Sequence, residues 1–284
     1  MYEEKLISGK VISAEEKAKI AEKVEKLKAK GINPKLSVII VGENPASLTY
    51  VRGKHKDCAE CGIISDNIAL PESTTQQELL DVIEKLNKDK TVHGILVQLP
   101  LPKQIEEYAV INAIDPSKDV DGFTAVNVGN MNIGKDCFAP CTPQGCIDML
   151  DWAGVELEGK DLVVIGRSNI VGKPVSVLAL QRNATVTVCH SRTKDIAAKT
   201  KQADIIIVAV GKEKFLTADM VKEGAVVIDV GINRNSLGKL CGDADFDSLI
   251  EKVSKITPVP GGVGLMTRVN LLKNTVKAAE NVEK

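Results

Sequence analysis

Residues 50–58, YVRGKHKDC, bring two lysines, an arginine and a histidine into five consecutive positions. Such a run is a solvated basic face, an anion patch, or the setting for one reactive amine. On a helix, at about 100° per residue, Ser47, Tyr50, Val51, Lys54, Cys58 and Cys61 share one stripe, and Arg52, Lys56 and Glu60 fall opposite. Three of the four basic residues therefore need no function. Lys54 sits in the less polar stripe, one turn from Tyr50, where it either snorkels to water or lines a cleft. An amine desolvated in a cleft has its pKa lowered toward neutrality and can exchange protons. Two more polar residues end apolar runs. Gln98 closes HGILVQ (93–98), at the carboxyl edge where open α/β sheets bind ligands. Asp121 lies in KDVDG, where turn geometry alone also favours Asp.

A second cluster is VVIGRSNIVGKP, which follows one apolar run and opens a helical one. It departs from GxGxxG: Gly166 makes the tight turn, Ser168 takes the second-glycine position, and Gly172 lets a helix start close to the sheet, with Pro174 in its first turn. Backbone N–H groups at that helix start suit a pyrophosphate. A cofactor with a free ribose diol usually meets Asp or Glu at the end of the next strand. Here that strand ends Cys189-His190-Ser191-Arg192-Thr193, without a carboxylate, and Arg167 lies in the loop itself. Arginine and hydroxyl donors suit a phosphate, which favours NADP over NAD. Arg192 reads equally as a solvent-exposed loop charge.

The elements that must position these groups alternate. LSVIIVG (36–42), IISDNIAL (63–70) and HGILVQ are strands, separated by helices at 46–61, 75–88 and 104–113; Ser13 N-caps a preceding helix that stops at Gly31. After a long Gly-, Asn-, Asp- and Pro-rich loop over 115–145 and a helix at 143–153, a second series begins. Its strands are DLVVIG (161–166), ATVTVCH (184–190), IIIVAVG (205–211) and AVVIDVG (225–231), with a helix at 172–182 and another over about the last 18 residues. The alternation predicts an α/β protein with two parallel sheets. Aromatics are 3% of 284 residues, so the core is aliphatic, as covered parallel sheets require.

Thirty-seven basic and thirty-eight acidic residues leave a net charge of −1, so no global field favours nucleic acid or an anionic membrane. The N-terminus, MYEEKLISGK, has no apolar signal region and no 18-residue apolar run occurs. Seven irregularly spaced cysteines fit a reducing cytosol, so a cytoplasmic protein is expected. Cys58 and Cys61 form a lone CxxC without a second pair, which reads as buried small hydrophobes, and no metal site is expected.

YVRGK, HGILVQLPLP, DPSKDVDGF, PCTPQG, VVIGRSNIVGKP, NATVTVCHSRT, DVGIN and TPVPGGVG occur in this order. Together they make the chain resemble the bifunctional methylenetetrahydrofolate dehydrogenase/methenyltetrahydrofolate cyclohydrolase family, nearly end to end. The resemblance implies two α/β domains flanking a cleft. A small catalytic domain is expected over residues 1–140 plus 265–284, and a Rossmann-like NADP domain over 141–264 through which a homodimer forms. It implies oxidation of methylenetetrahydrofolate by NADP, then hydrolysis of the methenyl product to 10-formyltetrahydrofolate.

The resemblance also assigns residues. Lys54 is the catalytic lysine, Gln98 tunes it, Tyr50 stacks on the folate and Asp121 holds the pterin. Ser47, Pro260, Gly261 and Gly262 are expected to line the folate pocket. Gly166, Arg167, Ser168, Ile170, Gly172, Ser191 and Ile232 are expected around NADP. Two positions depart from the pattern: Leu265 replaces a usual Pro after GGVG, and Thr124-Ala125 replaces a common His-Pro after DGF. Another two-domain dehydrogenase, acting on an amino acid or a shikimate-like substrate, would not need Tyr50, Lys54, Gln98 and Asp121 together. A module that senses NADP without turnover is the other alternative.

Overall fold

The structure, a computed structural model, describes residues 2–282. Contacts divide the chain into two compact units. One holds Glu15–Ala139 and the C-terminal segment from Arg268; the other holds the N-terminal segment up to Ala14 and Pro140–Thr267. The sequence reading places the first fourteen residues with the folate unit, and the contacts place them with the second sheet. The reason is strand-like pairing. Leu6 bridges Ile256 in parallel, and Ile7 N–H donates to the Ile256 carbonyl at 2.9 Å.

The first unit contains most of α1 (Gly9–Lys28), then β1 (Lys35–Val41), α2 (Pro45–Glu60), β2 (Ile64–Leu70), α3 (Gln76–Lys88), β3 (Gly94–Val97), α4 (Glu107–Ala113) and α5 (Ala125–Asn132). Its sheet has the order β2-β1-β3 and is parallel throughout. The central strand β1 is buried from Leu36 to Val41, as a strand covered on both faces must be. Ile39, Leu79, Ile83 and Ile95, all 0% exposed, anchor one side of this aliphatic core. Helix α3 begins with a complete capping box between Thr75 and Glu78, the motif that satisfies two orphan N–H groups at once.

Two local expectations change. Helix α1 starts one turn before Ser13, at Gly9, and the Ser13 hydroxyl donates back to the Lys10 carbonyl. The 115–145 stretch is not all loop, because Thr124 accepts from Asn127 N–H and caps α5. The Thr124 side chain thus supplies the helix start that its polar, glycine-rich surroundings conceal.

The second unit continues with α6 (Cys141–Trp152), β4 (Asp161–Ile165), α7 (Gly172–Gln181), β5 (Thr185–Cys189), α8 (Ile196–Thr200), β6 (Ile205–Val208), β7 (Val226–Asp229), β8 (Asn233–Arg234), β9 (Leu240–Cys241), α9 (Phe246–Leu249), β10 (Lys255–Ile256) and α10 (Val263–Asn281), the last passing into the first unit. Its main sheet is parallel, ordered β10-β7-β6-β4-β5. Strand β10 is a fifth member that the apolar runs do not show, since it is only two residues long. β8 and β9 form a short antiparallel hairpin. Strands β6 and β7 are buried along their whole length, whereas edge strand β5 exposes Thr185, Thr187 and Val188.

Candidate active site

The folate-side candidates stand on α2 and at the end of β3. Asn44 caps α2 by accepting from Ser47 N–H at 3.1 Å, and Pro45 is its first residue, where a missing N–H costs nothing. The helix then carries Ser47, Tyr50 and Lys54 along one stripe. Ser47 and Lys54 are each 6% exposed and Tyr50 is half-buried, while Arg52 and Lys56 are exposed. Gln98 follows β3, held by its own N–H on the Ile39 carbonyl at 2.8 Å.

Lys54 Nζ donates to Gln98 Oε1 at 3.0 Å and lies 5.2 Å from the centroid of the Tyr50 ring. Gln98 Nε2 is engaged in turn by the Leu99 carbonyl at 2.8 Å, which points the amide oxygen at the lysine. Lys54, Tyr50 and Gln98 are thereby brought together from two elements 44 residues apart.

Asp121 is half-buried in the turn between α4 and α5, and its neighbour two residues back shapes that turn. The Asp119 carboxylate, 1% exposed, accepts from Gly122, Phe123 and Thr124 N–H and from Asn127 Nδ2. Of the two aspartates in KDVDG, Asp119 is committed to the backbone. That role is missing from the sequence reading; the signal for it is an Asp preceding a Gly by three residues in a turn-rich stretch.

The nucleotide-side candidates belong to the other unit. Gly166 has φ of +129°, and a Cβ there would meet the Ala209 carbonyl at 2.3 Å; one at Gly172 would meet the Gly166 carbonyl at 2.3 Å. Both glycines are therefore required by backbone approach, β4 against β6 and α7 against the turn. Ser168 Oγ accepts from Val171 and Gly172 N–H at 3.1 and 3.3 Å, so it holds the turn into α7 in addition to replacing a glycine. Arg167, Ile170, Ser191, Arg192 and Ile232 are exposed. Pro260, Gly261 and Gly262 form the loop before α10 in this same unit. Gly261 has φ of +105°, and a Cβ on Gly262 would meet the Pro258 carbonyl at 2.5 Å. Leu265 lies in the first turn of α10 and its N–H donates to the Gly262 carbonyl at 3.1 Å, a bond a proline could not make.

The tetrahydrofolate dehydrogenase/cyclohydrolase catalytic-domain model matches residues 7–121, and the NAD(P)-binding-domain model of the same family matches residues 140–283. The chain belongs to the tetrahydrofolate dehydrogenase/cyclohydrolase family. A bifunctional protein FolD of Moorella thermoacetica is 60% identical over 274 residues, which span 96% of this chain and 98% of that one. The crystal structure of the Campylobacter jejuni bifunctional FolD enzyme, 54% identical, superposes with a TM-score of 0.96 over 98% of this chain and 99% of that chain. The Trypanosoma brucei dehydrogenase-cyclohydrolase, solved with NADP cofactor and an inhibitor, is 38% identical with a TM-score of 0.93, over 98% of each chain. The family assignment makes this chain a two-domain, bifunctional enzyme with an NAD(P)-binding domain, and the amino-acid and shikimate alternatives fall away.

Within that NAD(P)-binding domain the loops beyond β6 and β7 hang on two carboxylates. Asp243, 0% exposed, accepts from Val210, Gly211 and Lys212 N–H and from Asn233 Nδ2. Asp229, 3% exposed, accepts from Gly231, Asp243 and Ala244 N–H, each at 2.9 Å. The packing is reciprocal. A Cβ on Gly242 would lie 1.8 Å from an Asp229 oxygen, and one on Gly231 2.3 Å from the Asp243 carboxyl carbon. Ile232 is carried on the loop this pair fixes. DVGIN and CGDAD hold both aspartates, but nothing in their spacing shows that they interlock.

Burial pushes the Asp229 carboxyl up to about 6, outweighing its three backbone donors, and the neighbouring Asp243 adds to the rise. The folded protein then holds a proton between about pH 4 and 6 that the unfolded chain, with an ordinary Asp near 3.9, has lost. This stabilisation is complete below about pH 4 and is lost as pH rises through about 6, a change of at most about 3 kcal/mol. Denaturant unfolding of wild type and Asp229→Asn from pH 4 to 8 is expected to diverge progressively between about pH 4 and 6 and to run parallel above about pH 6. Profiles parallel over the whole range would contradict it.

Proposed function

We propose that Lys54 is the proton acceptor for hydrolysis of methenyltetrahydrofolate, with Gln98 holding it and Tyr50 and Asp121 binding the folate. The observation that carries this is a lysine only 6% exposed whose Nζ sits 3.0 Å from an amide oxygen and beside an aromatic face. Water attack on the methenyl carbon forms a C–O bond and releases a proton, and a positioned neutral amine takes it. The cationic substrate beside the amine and its burial both favour the neutral form. Opening of the ring then breaks one C–N bond and leaves the formyl group on N10. Asp121 has a carboxylate suited to the amino group and adjacent ring N–H of a pterin, which it accepts together as it would a guanidinium. Tyr50 offers a flat face to the ring.

The dehydrogenase step is the removal of a hydride from the methylene carbon, which leaves a cation shared between two nitrogens. It needs alignment rather than a base. NADP, when bound, is the hydride acceptor. The residues present fit it: Gly166 and Gly172 let the turn pack tightly between β4 and the start of α7, the N-terminus of α7 faces that turn, and Arg167 and Ser191 are exposed donors with no carboxylate at the end of β5. These donors support a ribose phosphate, hence NADP over NAD.

We further propose a homodimer through the second unit. Edge strand β5 leaves one side of its backbone unpaired, and Val188 and Leu180 nearby are 38% and 63% exposed. Unpaired edges of this kind are covered in stable proteins, and a second copy is the simplest cover. All seven cysteines are free thiols, in keeping with a reducing compartment. Among the described residues no helix is long and apolar enough to cross a membrane.

Parallel absorbance assays of cofactor reduction and methenyl decay test the folate side. Lys54→Met keeps the stem and removes the amine; hydrolysis is expected to fall about 10²–10⁴-fold, with a smaller loss of hydride transfer and accumulation of methenyl product. Lys56→Met, on the exposed face, should change neither. Asp121→Ala should weaken folate binding by about 2–4 kcal/mol in both reactions and leave NADP affinity intact. Full hydrolase activity in Lys54→Met would falsify the assignment of the base.

For the cofactor, Arg167→Ala is expected to weaken NADP by about 1.5–3 kcal/mol and NAD hardly at all. Steady-state kinetics with both decide it, and equal efficiency of the wild type with NAD would end the phosphate reading. For assembly, sedimentation should give twice the chain mass, reduced toward the monomer by a charged residue at Val188. A wild-type monomer at micromolar concentration would refute the dimer.

A further inference from the structure

Gly53 interrupts α2 immediately before Lys54, in a helix interior where glycine is less favourable than alanine. Its backbone angles do not demand glycine, since it lies outside the residues with positive φ. A natural expectation is that the missing side chain leaves room for substrate. The structure fills that room with protein. A Cβ on Gly53 would lie 2.2 Å from Arg268 Nη1, so the guanidinium of α10 rests directly on the backbone of α2.

The guanidinium is itself held. Arg268 Nε pairs with Asp57 Oδ2 at 3.0 Å, and Lys17 Nζ of α1 pairs with Asp57 Oδ1 at 3.1 Å and with Glu60. Asp57 is 5% exposed, and a buried carboxylate is tolerable only with such partners. Gly53, Asp57 and Glu60 therefore form one face of α2, tied to α1 and α10. The adjacent face carries Tyr50 and Lys54, whose amine reaches Gln98 across to β3.

We propose that Arg268 and Asp57 are positioning residues for Lys54, and that Gly53 is small so that the guanidinium can set the seating of α2. This rests on the reading of Lys54 as the hydrolytic base. A methyl at Gly53 would be met by a swing of the Nη1 end away from 2.2 Å, about the Nε that Asp57 holds, or by a small shift of α2. Either displacement acts on the Lys54–Gln98 bond, and ångström-scale misplacement of a reacting group costs rate rather than affinity.

The test is a cycle of wild type, Gly53→Ala, Arg268→Met and the double variant. The readouts are cyclohydrolase kcat and KM across pH, with NADP titration as a control. Gly53→Ala is expected to lower kcat about tenfold and to displace the acidic limb of the pH–rate profile, with KM for the methenyl substrate changed less than twofold. Arg268→Met should lower kcat several-fold. The double variant should match Arg268→Met, not the product of the two effects, because the new methyl then meets no guanidinium. Arg268→Lys, which restores a cation to Asp57 without the planar group over Gly53, should recover part of the rate. NADP affinity should hold throughout.

Multiplicative losses in the double variant, or wild-type kcat in both single variants, would overturn the proposal. If Gly53→Ala does not fold, the double variant decides: folding with the kcat of Arg268→Met supports the clamp, and failure to fold contradicts it. Lys54→Met separates the two levels. Full hydrolysis in that variant removes the base itself, whereas an inactive Lys54→Met beside fully active Gly53 and Arg268 variants removes only the positioning.

Discussion

A lysine ammonium taken out of water must find a partner or give up its charge. In this chain Lys54 donates to the amide oxygen of Gln98, and that 3.0 Å contact sets conditions on everything near it. Gln98 must stand just past the end of β3, where the sheet stops and its side chain is free to turn toward α2. Helix α2 must present residue 54 of the chain, not 53 or 55, to that point. An amide is also the right acceptor. A carboxylate in its place would favour the charged amine, while a neutral carbonyl orients the amine without adding an opposite charge.

Elsewhere the irregular segments are held by carboxylates that do no chemistry. Asp119 gathers the turn bearing Asp121, and Asp229 with Asp243 gathers the loops beyond β6 and β7. Loops at the carboxyl edge of a parallel sheet leave backbone N–H groups with no strand to pair with, and unpaired buried N–H groups are costly. A buried aspartate with several acceptor positions solves that for three or four of them at once. It also fixes the loop in one shape, which a hydrophobic side chain would not do. The charge carries its own cost, visible in the raised pKa of Asp229.

Much of this was legible in the residues, and the pattern of success follows the physics. Periodicity at 2.0 and 3.6 residues is local, so the long strands, the long helices and the inward stripe of α2 could be read directly. Cys58 and Cys61 are buried thiols whose pKa values burial raises to about 12 and 11, as inert core residues should be. Contacts made across many residues were not legible. Strand β10 is two residues long and exists because β7 and the N-terminal segment flank it, so the ownership of residues before Ala14 could not be foreseen. The interlock of Asp229 with Asp243, and the meeting of Gly53 with Arg268, depend on residues 14 and 215 positions apart; each looks ordinary in its own stretch of sequence.

The glycines make the same point from the other side. Read along the chain, Gly53, Gly166, Gly172, Gly231 and Gly242 invite one explanation, backbone freedom. Only Gly166 among them has a φ that calls for glycine. The other four are small because something must come close: the Gly166 carbonyl at Gly172, the Asp243 carboxylate at Gly231, the Asp229 carboxylate at Gly242, and a guanidinium at Gly53. In three of these four the visitor is a charged group brought up to a backbone, and in each the charge is held by further hydrogen bonds or ion pairs. Absence of a side chain is here a way of placing an ion. That is why these glycines lie in α2 and beside the loops at the carboxyl edge of the second sheet, where a fixed geometry matters more than the small loss of helix or strand propensity.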